Sequence, residues 1–449
     1  MKIGGCCLSE KSLVELLEEA PISSFHYLLL TICCLIYGFT AMNVMLIGAA
    51  LPAIAKDWNL SKVVAGILLS SGYAGMFVGA LSCGAIADAV GRRKALLLTI
   101  TMASVFTGLC SIAWGVASMS ILRFLAGIGL GGTLPQPGVY LSEYVPAGRR
   151  GRFLGLTETS WVYGALLAAA FPFFLIPTYG WRLTFLVAFI PLFLVPLILL
   201  FLPESIRYLE LKGKVGEALT ALKKAGLVKE AVKAVKKAVY VKYSFKEALS
   251  ELWSSTYRGR TAVLWVGWAV LVYTYHGIFL WLPSIYVEAM RAKELLGPHY
   301  WYLIITLMQI PGYYSATFLL DPAGRKPVLA GYLALAGLGS YMFAVARGLS
   351  AILLWSGVVS FFNLGSWAGL YTYTPELYPT RIRGTGSGAA ASVGRLAGIA
   401  APAVTGYVWA SWGLSSAFVV FALAHLLAAL TVALLGVETK RKALEAISK

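Results

Sequence analysis

Twelve stretches of this chain are each long enough and apolar enough to cross a lipid bilayer, and that property limits the fold more than any other. They cover about 26–54, 63–87, 95–114, 118–142, 153–176, 182–202, 261–289, 300–320, 328–346, 350–373, 385–409 and 414–436. A hydrocarbon core about 30 Å thick asks for ~20 residues of helix at 1.5 Å per residue. Inside it the backbone must satisfy its own hydrogen bonds, which a helix does within one segment. With 59% hydrophobic and 13% charged residues the chain cannot assemble a water-soluble surface. It is read as an all-α polytopic membrane protein of twelve transmembrane helices, which excludes a soluble enzyme.

A net charge of +17 invites a nucleic-acid reading, but the placement of the charge argues otherwise. With both termini inside, 29 of the 37 Lys and Arg fall in inner segments and 6 in outer connections, with Arg123 and Arg395 left within spans. A multi-pass plasma-membrane protein with both termini cytoplasmic follows, and no nucleic-acid partner is expected. The chain then divides into an N-terminal segment (1–25), a first six-helix bundle (26–202), a cytoplasmic linker (203–260), a second bundle (261–436) and a tail (437–449). The linker holds 13 basic and 6 acidic residues. Its stretches 215–225 and 229–239 have helical apolar spacing with interleaved lysines, which suits short helices on an anionic inner leaflet, with a solvated linker as the bland alternative. The acidic stretch 9–19 is no signal peptide. The six cysteines (Cys6, Cys7, Cys33, Cys34, Cys83, Cys110) form no C-x-x-C pair and read as small hydrophobes rather than metal ligands.

The chain repeats itself. Asp88-Ala-Val-Gly91-Arg92-Arg93 after span two is answered by Asp321-Pro-Ala-Gly324-Arg325-Lys326 after span eight, an offset of 233. Glu143-x-x-Pro146-x-x-x-Arg150-Gly151 recurs as Glu376-x-x-Pro379-x-x-x-Arg383-Gly384 at the same offset of 233. Two unrelated motifs in one register mark duplicated six-helix units, pseudo-symmetric about an axis along the membrane normal.

These loops, Arg123-Phe-Leu-Ala-Gly127-x-Gly129 in span four and Pro203-Glu-Ser-Ile-Arg207 after span six together resemble the major facilitator superfamily. The nearest branch is the sugar porters and organic-ion (metabolite:proton) symporters. The resemblance spans the whole chain and implies alternating access, no cofactor and a monomer. It also implies that Asp88, Gly91, Arg92, Arg123, Glu143, Arg150, Asp321, Gly324, Arg325, Glu376 and Arg383 form a cytoplasmic gate. Positive-inside anchoring alone would account for basic loops, but it requires neither the acids nor the shared register. Gly127, Gly129, Gly131 and Gly132 are expected to let helices approach closely, since a G-x-G-x-G-G run inside a span is no nucleotide site.

An ionisable side chain inside a span costs roughly 2.5–3.5 kcal/mol at its centre, so each one is a candidate for function. Glu158 lies seven residues past Gly151, and Arg395 lies eleven past Gly384. The difference of four is one helical turn, so the repeat puts both on equivalent faces, and if one lines a central cavity the other does too. Sugar porters carry a hexose-binding Gln at the position of Glu158, and the Gln-rich start of their span seven is replaced here by Val272-Tyr-Thr-Tyr-His276-Gly277, which demotes hexose. The Asp-Gly-x-Asp of aromatic-acid symporters is likewise absent from Tyr37-Gly-Phe-Thr-Ala-Met-Asn43. Proton coupling therefore falls to Glu158 or His276. Arg395 is the candidate carboxylate clamp, with Tyr37, Asn43, Gln136, Trp161, Tyr273, Trp281, Gln309 and Tyr371 as candidate substrate contacts. A structural ion pair for Glu158 and plain packing for the aromatics are the bland alternatives. No Walker motif, metal cluster or catalytic triad is present in the sequence. The expected function is proton-coupled symport of a small organic anion, a monocarboxylate or aromatic acid. Alternatives are an organic-cation carrier using Glu158, a sugar or polyol porter, and a non-transporting receptor. Membrane lipid, the solute and protons are the expected partners.

Overall fold

A computed structural model of the chain describes residue 17 and residues 20–227, 245–291 and 296–440. The stretch 229–239, Cys6, Cys7, most of the acidic stretch 9–19 and tail residues 441–449 lie outside the described residues. The first bundle is built from α1 (Ser24–Asp57), α2 (Lys62–Val90), α3 (Arg92–Leu109), α4 (Val116–Thr133), α5 (Gln136–Tyr144), α6 (Ala147–Leu186) and α7 (Leu194–Phe201). Three short helices follow, α8 (Ile206–Leu211), α9 (Val215–Lys224) and α10 (Phe245–Leu252). The second bundle holds α11 (Arg258–Phe279), α12 (Leu282–Ala289), α13 (Leu296–Leu307), α14 (Gln309–Ala323), α15 (Arg325–Val345), α16 (Leu349–Glu376), α17 (Thr380–Trp412) and α18 (Leu414–Leu435).

Among the described residues, ten helical stretches are long and apolar enough to cross a membrane. One of them, Gly148–Phe201, makes two crossings because Gly180 turns the chain at φ +74°. The twelfth crossing is α17, whose glycines and Arg395 dilute its apolar character. Outward faces carry Leu200, Phe318 and Leu434, at least 75% exposed, as lipid-facing side chains should be.

Spans four, seven and eight, continuous in hydropathy, are each broken, at Leu134–Pro135, Leu280–Trp281 and Met308. Pro135, Pro283 and Pro311 sit at or just past these breaks, where a proline can neither donate to the carbonyl four residues back nor avoid its oxygen. The duplication reaches the backbone as well. Gly91 and Gly324 have φ of +104° and +108°, and Gly180 and Gly413 have +74° and +85°. Each pair is 233 residues apart and occupies a region closed to most side chains.

The span-four glycines do what was expected of them. A Cβ on Gly127 would lie 2.1 Å from Gly72 O, and one on Gly131 would lie 2.0 Å from Met76 O, so α4 packs against α2 backbone to backbone. Gly127→Val is expected to overpack this seam by about 1–3 kcal/mol. It should lower the melting temperature in detergent with helix content retained, and an unchanged melting temperature would show that the seam is loose.

The linker differs from expectation in one respect. Ala218 and Leu222 of α9 are fully buried in a core shared with Leu141, Tyr144, Leu202 and Ile206. The apolar stripe of α9 therefore packs on the end of the first bundle rather than on lipid, because a protein surface of matching polarity lies within reach.

A candidate solute cavity between the bundles

Both motif pairs lie at one end of the molecule and organise it locally. Arg92 pairs with Glu143, whose second oxygen accepts from Ser205 Oγ at 2.5 Å. In the second bundle Arg325 pairs with Glu376 at 3.3 Å and with the exposed Asp321 at 2.9 Å, and Thr439 Oγ1 donates to Glu376 at 2.5 Å. Arg150 Nε donates to Val145 O and Arg383 Nε to Tyr378 O, again equivalent positions. Asp88 is exposed. Gly91 and Gly324 each lie under a carboxylate, Glu204 and Glu438 respectively. Glu204 accepts from Arg93 N at 3.0 Å; Glu438 accepts from Arg325 N and Lys326 N, both at 3.1 Å. These acids cap the N-termini of α3 and α15, where helix N–H groups lack partners. They are a third repeated element that reading the sequence missed. Glu204 and Glu438 are 234 apart, one residue off the common register, so a search at fixed offset passes over them. Each of these bonds stays within one bundle.

Arg123 is not in this cluster. It is buried in the first bundle, 3% exposed, and its Nη1 donates to Asn43 O at 3.2 Å. It stands two turns from the end of α4 that is remote from the motif loops, which puts those loops out of its reach.

At the opposite end the two bundles close on each other through glycine. A Cβ at Gly48 would meet Leu280 Cα at 2.8 Å, one at Gly66 would meet Pro402 O at 2.7 Å, and one at Gly406 would meet Lys62 O at 2.4 Å. His299 Nε2 lies 2.8 Å from Ala49 O, and Lys62 pairs with Glu288 at 2.9 Å while sitting 4.2 Å over the Trp409 ring. At the motif-bearing end, by contrast, a Cβ on Gly151, Gly155, Gly384 or Gly388 would meet no atom of another element within 4 Å among the described residues. Gly151, Gly155 and Glu158 share one helix face, as do Gly384, Gly388, Ala391 and Arg395.

Between the two ends lies a cavity of about 220 Å³. Glu158, Arg395, His276, Tyr37, Trp161 and Tyr371 all line it. Tyr37 donates to Glu158, and its hydroxyl is 3.2 Å from that of Tyr371, in the other bundle. Trp161 Nε1 donates to Tyr275 Oη at 2.9 Å, a further bond between bundles. Trp268 stands edge-on to Trp367 at 5.5 Å and to Tyr371 at 5.2 Å, so aromatic rings form much of the wall. Glu158 has no ion pair, and Arg395 has neither hydrogen bond nor ion pair among the described residues. The cavity thus offers an unpartnered guanidinium, a carboxylate held by a tyrosine, and flat apolar walls, which together suit a small anion with a ring.

The other sequence candidates lie elsewhere. Asn43 faces a void of about 10 Å³ inside the first bundle, and Gln136 Nε2 lies 2.9 Å from Cys83 Sγ. Tyr273 packs on Phe421 at 5.5 Å. Trp281 donates to Pro402 O at 3.2 Å in the closed end, and Gln309 accepts from Tyr275 behind the cavity wall at 3.4 Å. Tyr73, Met76, Trp268 and Tyr313 line the cavity and were missed. The spacing of Trp268, Val272 and Tyr275 (i, i+4, i+7) was a signal that would have found one of these walls.

A family model described as "Sugar (and other) transporter" matches residues 26–449. The chain belongs to this family, within the major facilitator superfamily. It is 38% identical over 437 residues to the niacin transporter NiaP of Acinetobacter baylyi, covering 97% of this chain and 99% of that one. It is 35% identical to the putative niacin/nicotinamide transporter NiaP of Bacillus subtilis (95% and 100% covered) and 28% identical to the 4-hydroxybenzoate transporter PcaK of Acinetobacter baylyi (86% and 85% covered). Among solved structures, the partially occluded inward-open xylose transporter XylE of E. coli has the same fold, with TM-score 0.74 at 19% identity, covering 94% of this chain and all of that one. The protein is a multi-pass membrane transporter and not an enzyme.

Proposed function

We propose that this transporter carries a single-ring aromatic monocarboxylate together with one proton. The observation that carries the reading is the Arg395 guanidinium, which stands unpaired in an aromatic-walled cavity small enough for a one-ring solute. A family in which relatives are named for niacin and 4-hydroxybenzoate transport supports the same class. The orientation rests on the basic loops, which put the motif-bearing end in the cytoplasm.

Charge balance supplies the coupling. The empty cavity holds one positive and one negative side chain and is neutral. A bound carboxylate makes it −1, and moving that net charge through a low-dielectric barrier is costly. A proton on Glu158 restores neutrality, so the loaded carrier crosses only when protonated and the empty carrier returns without a proton. An organic cation fits less well, since Arg395 would repel it and Tyr37 already occupies Glu158.

Purified protein in proteoliposomes, with internal pH recorded, is expected to show acid-dependent acidification beyond passive leak. Glu158→Gln makes the loaded cavity neutral without a proton and the empty one +1. Exchange of labelled acid should persist while pH-driven accumulation disappears. Accumulation that survives in Glu158→Gln would remove this residue from the coupling.

A further inference from the structure

Two buried polar atoms among the residues lining the cavity have no hydrogen-bond partner among the described residues, Tyr73 Oη and His276 Nε2. They come from opposite bundles, Tyr73 from α2 and His276 from α11, yet their rings stand 4.8 Å apart, edge to face. Tyr73 also packs against Gly398, where a Cβ would lie 3.1 Å from its ring. Gly398 is one helical turn beyond Arg395. The guanidinium and the Tyr73–His276 pair are therefore neighbours along α17, and both border the same space.

The hydrogen-bonding sense of each atom can be derived. His276 Nδ1 lies 2.9 Å from Val272 O, and a carbonyl only accepts, so Nδ1 carries the hydrogen. In the neutral ring Nε2 is then an acceptor. The ring is packed among Tyr73, Trp161 and Tyr275 and has no acid within ion-pair distance among the described residues. The Tyr73 hydroxyl can donate as well as accept. Leaving both without a hydrogen bond is unfavourable, and a ligand atom within reach of either relieves it.

We propose that Tyr73 and His276 form a polar subsite that reads the ring of the substrate away from its carboxylate. The inference rests on the aromatic-carboxylate reading and narrows it to acids whose ring bears a hydrogen-bonding atom. A ring nitrogen accepts from Tyr73 Oη–H, and a phenolic hydroxyl donates to His276 Nε2. A bare benzene ring does neither and leaves both atoms orphaned. Because each bundle contributes one residue, the subsite exists only while the bundles are closed at the end remote from the motif loops.

The test is a comparison of affinities for three probes, nicotinate, 4-hydroxybenzoate and benzoate, in the wild type and in Tyr73→Phe and His276→Phe, measured on the full chain in detergent. Wild type should bind nicotinate and 4-hydroxybenzoate about ten-fold more tightly than benzoate, the loss expected from one or two unmet buried partners. Tyr73→Phe should erase the preference for nicotinate, and His276→Phe the preference for 4-hydroxybenzoate, each read as the ratio to the benzoate affinity of the same variant. A packing defect would weaken all three probes together and leave the ratios intact. Unchanged ratios in both variants overturn the subsite alone. Failure of wild type to bind any of the three overturns the aromatic-carboxylate reading and the subsite with it.

Discussion

Arg395→Gln is expected to weaken binding of an aromatic carboxylate by about 100-fold without lowering the melting temperature of the empty protein. The first half follows from the chemistry of the pair. A charge-assisted bond to a half-buried guanidinium contributes roughly 1.5–3 kcal/mol, and a second parallel bond adds to it. The second half follows from the empty cavity, in which Arg395 has no ion pair to lose among the described residues, so removing a half-buried charge with no partner relieves a cost. A structural arginine would show the reverse, lower stability with little effect on ligand. Quenching of tryptophan fluorescence gives the affinity, since Trp161, Trp268 and Trp367 line the same cavity. Arg395→Lys keeps the charge but not the two-pronged geometry and is expected to fall in between. Binding that survives Arg395→Gln would move the anion site elsewhere.

Gly66→Leu, or Gly406→Leu, is expected to hold the transporter open at the end that is closed in this structure. A Cβ at either position would meet backbone oxygen, of Pro402 at 2.7 Å or of Lys62 at 2.4 Å. Neither atom can rotate away as a side chain would. At Gly66 overpacking of about 1–3 kcal/mol acts on the closed state alone and shifts the equilibrium roughly five- to 150-fold toward the open one. Uptake should drop accordingly while the bundles stay folded, most cleanly in Gly66→Leu, whose close neighbours Pro402 and Ala403 both belong to the other bundle; at Gly406 the Trp281 ring of the same bundle, 2.9 Å from a Cβ, must shift as well. Spin labels at positions 62 and 288 give the readout, with a longer distance in the variant than in the parent. An unchanged distance would mean that the bundles meet elsewhere when the cycle turns.

How far the sequence reached varies from residue to residue. Glu158 and Arg395 were found because an ionisable group is conspicuous in an apolar span and because the repeat related their two helices. Tyr37, Trp161, Tyr371 and His276 were found with them, but the same reasoning also picked out Tyr273, Trp281, Asn43, Gln136 and Gln309, which lie off the cavity. Nothing in composition separates these groups. A polar or aromatic residue in a span can face lipid, a neighbour in its own bundle or the other bundle, and only helix rotation and crossing decide which. Arg123 shows the limit most clearly. Its motif is legible, yet its side chain is spent inside one bundle on the carbonyl of Asn43.

The membrane class, the crossings, the duplication at offset 233 and the placement of basic residues in the motif loops are all legible in the order of residues. These depend on hydropathy, length and register, which are properties of consecutive residues. Tertiary structure decided that Gly48, Gly66 and Gly406 close one end, that Glu204 and Glu438 cap helices reached by chain remote in sequence, and that Tyr73 meets His276 across the bundle interface. Each of these needs two segments hundreds of residues apart, or from different helices, to lie within a few ångströms. Such contacts depend on how whole helices pack, and no local pattern records them.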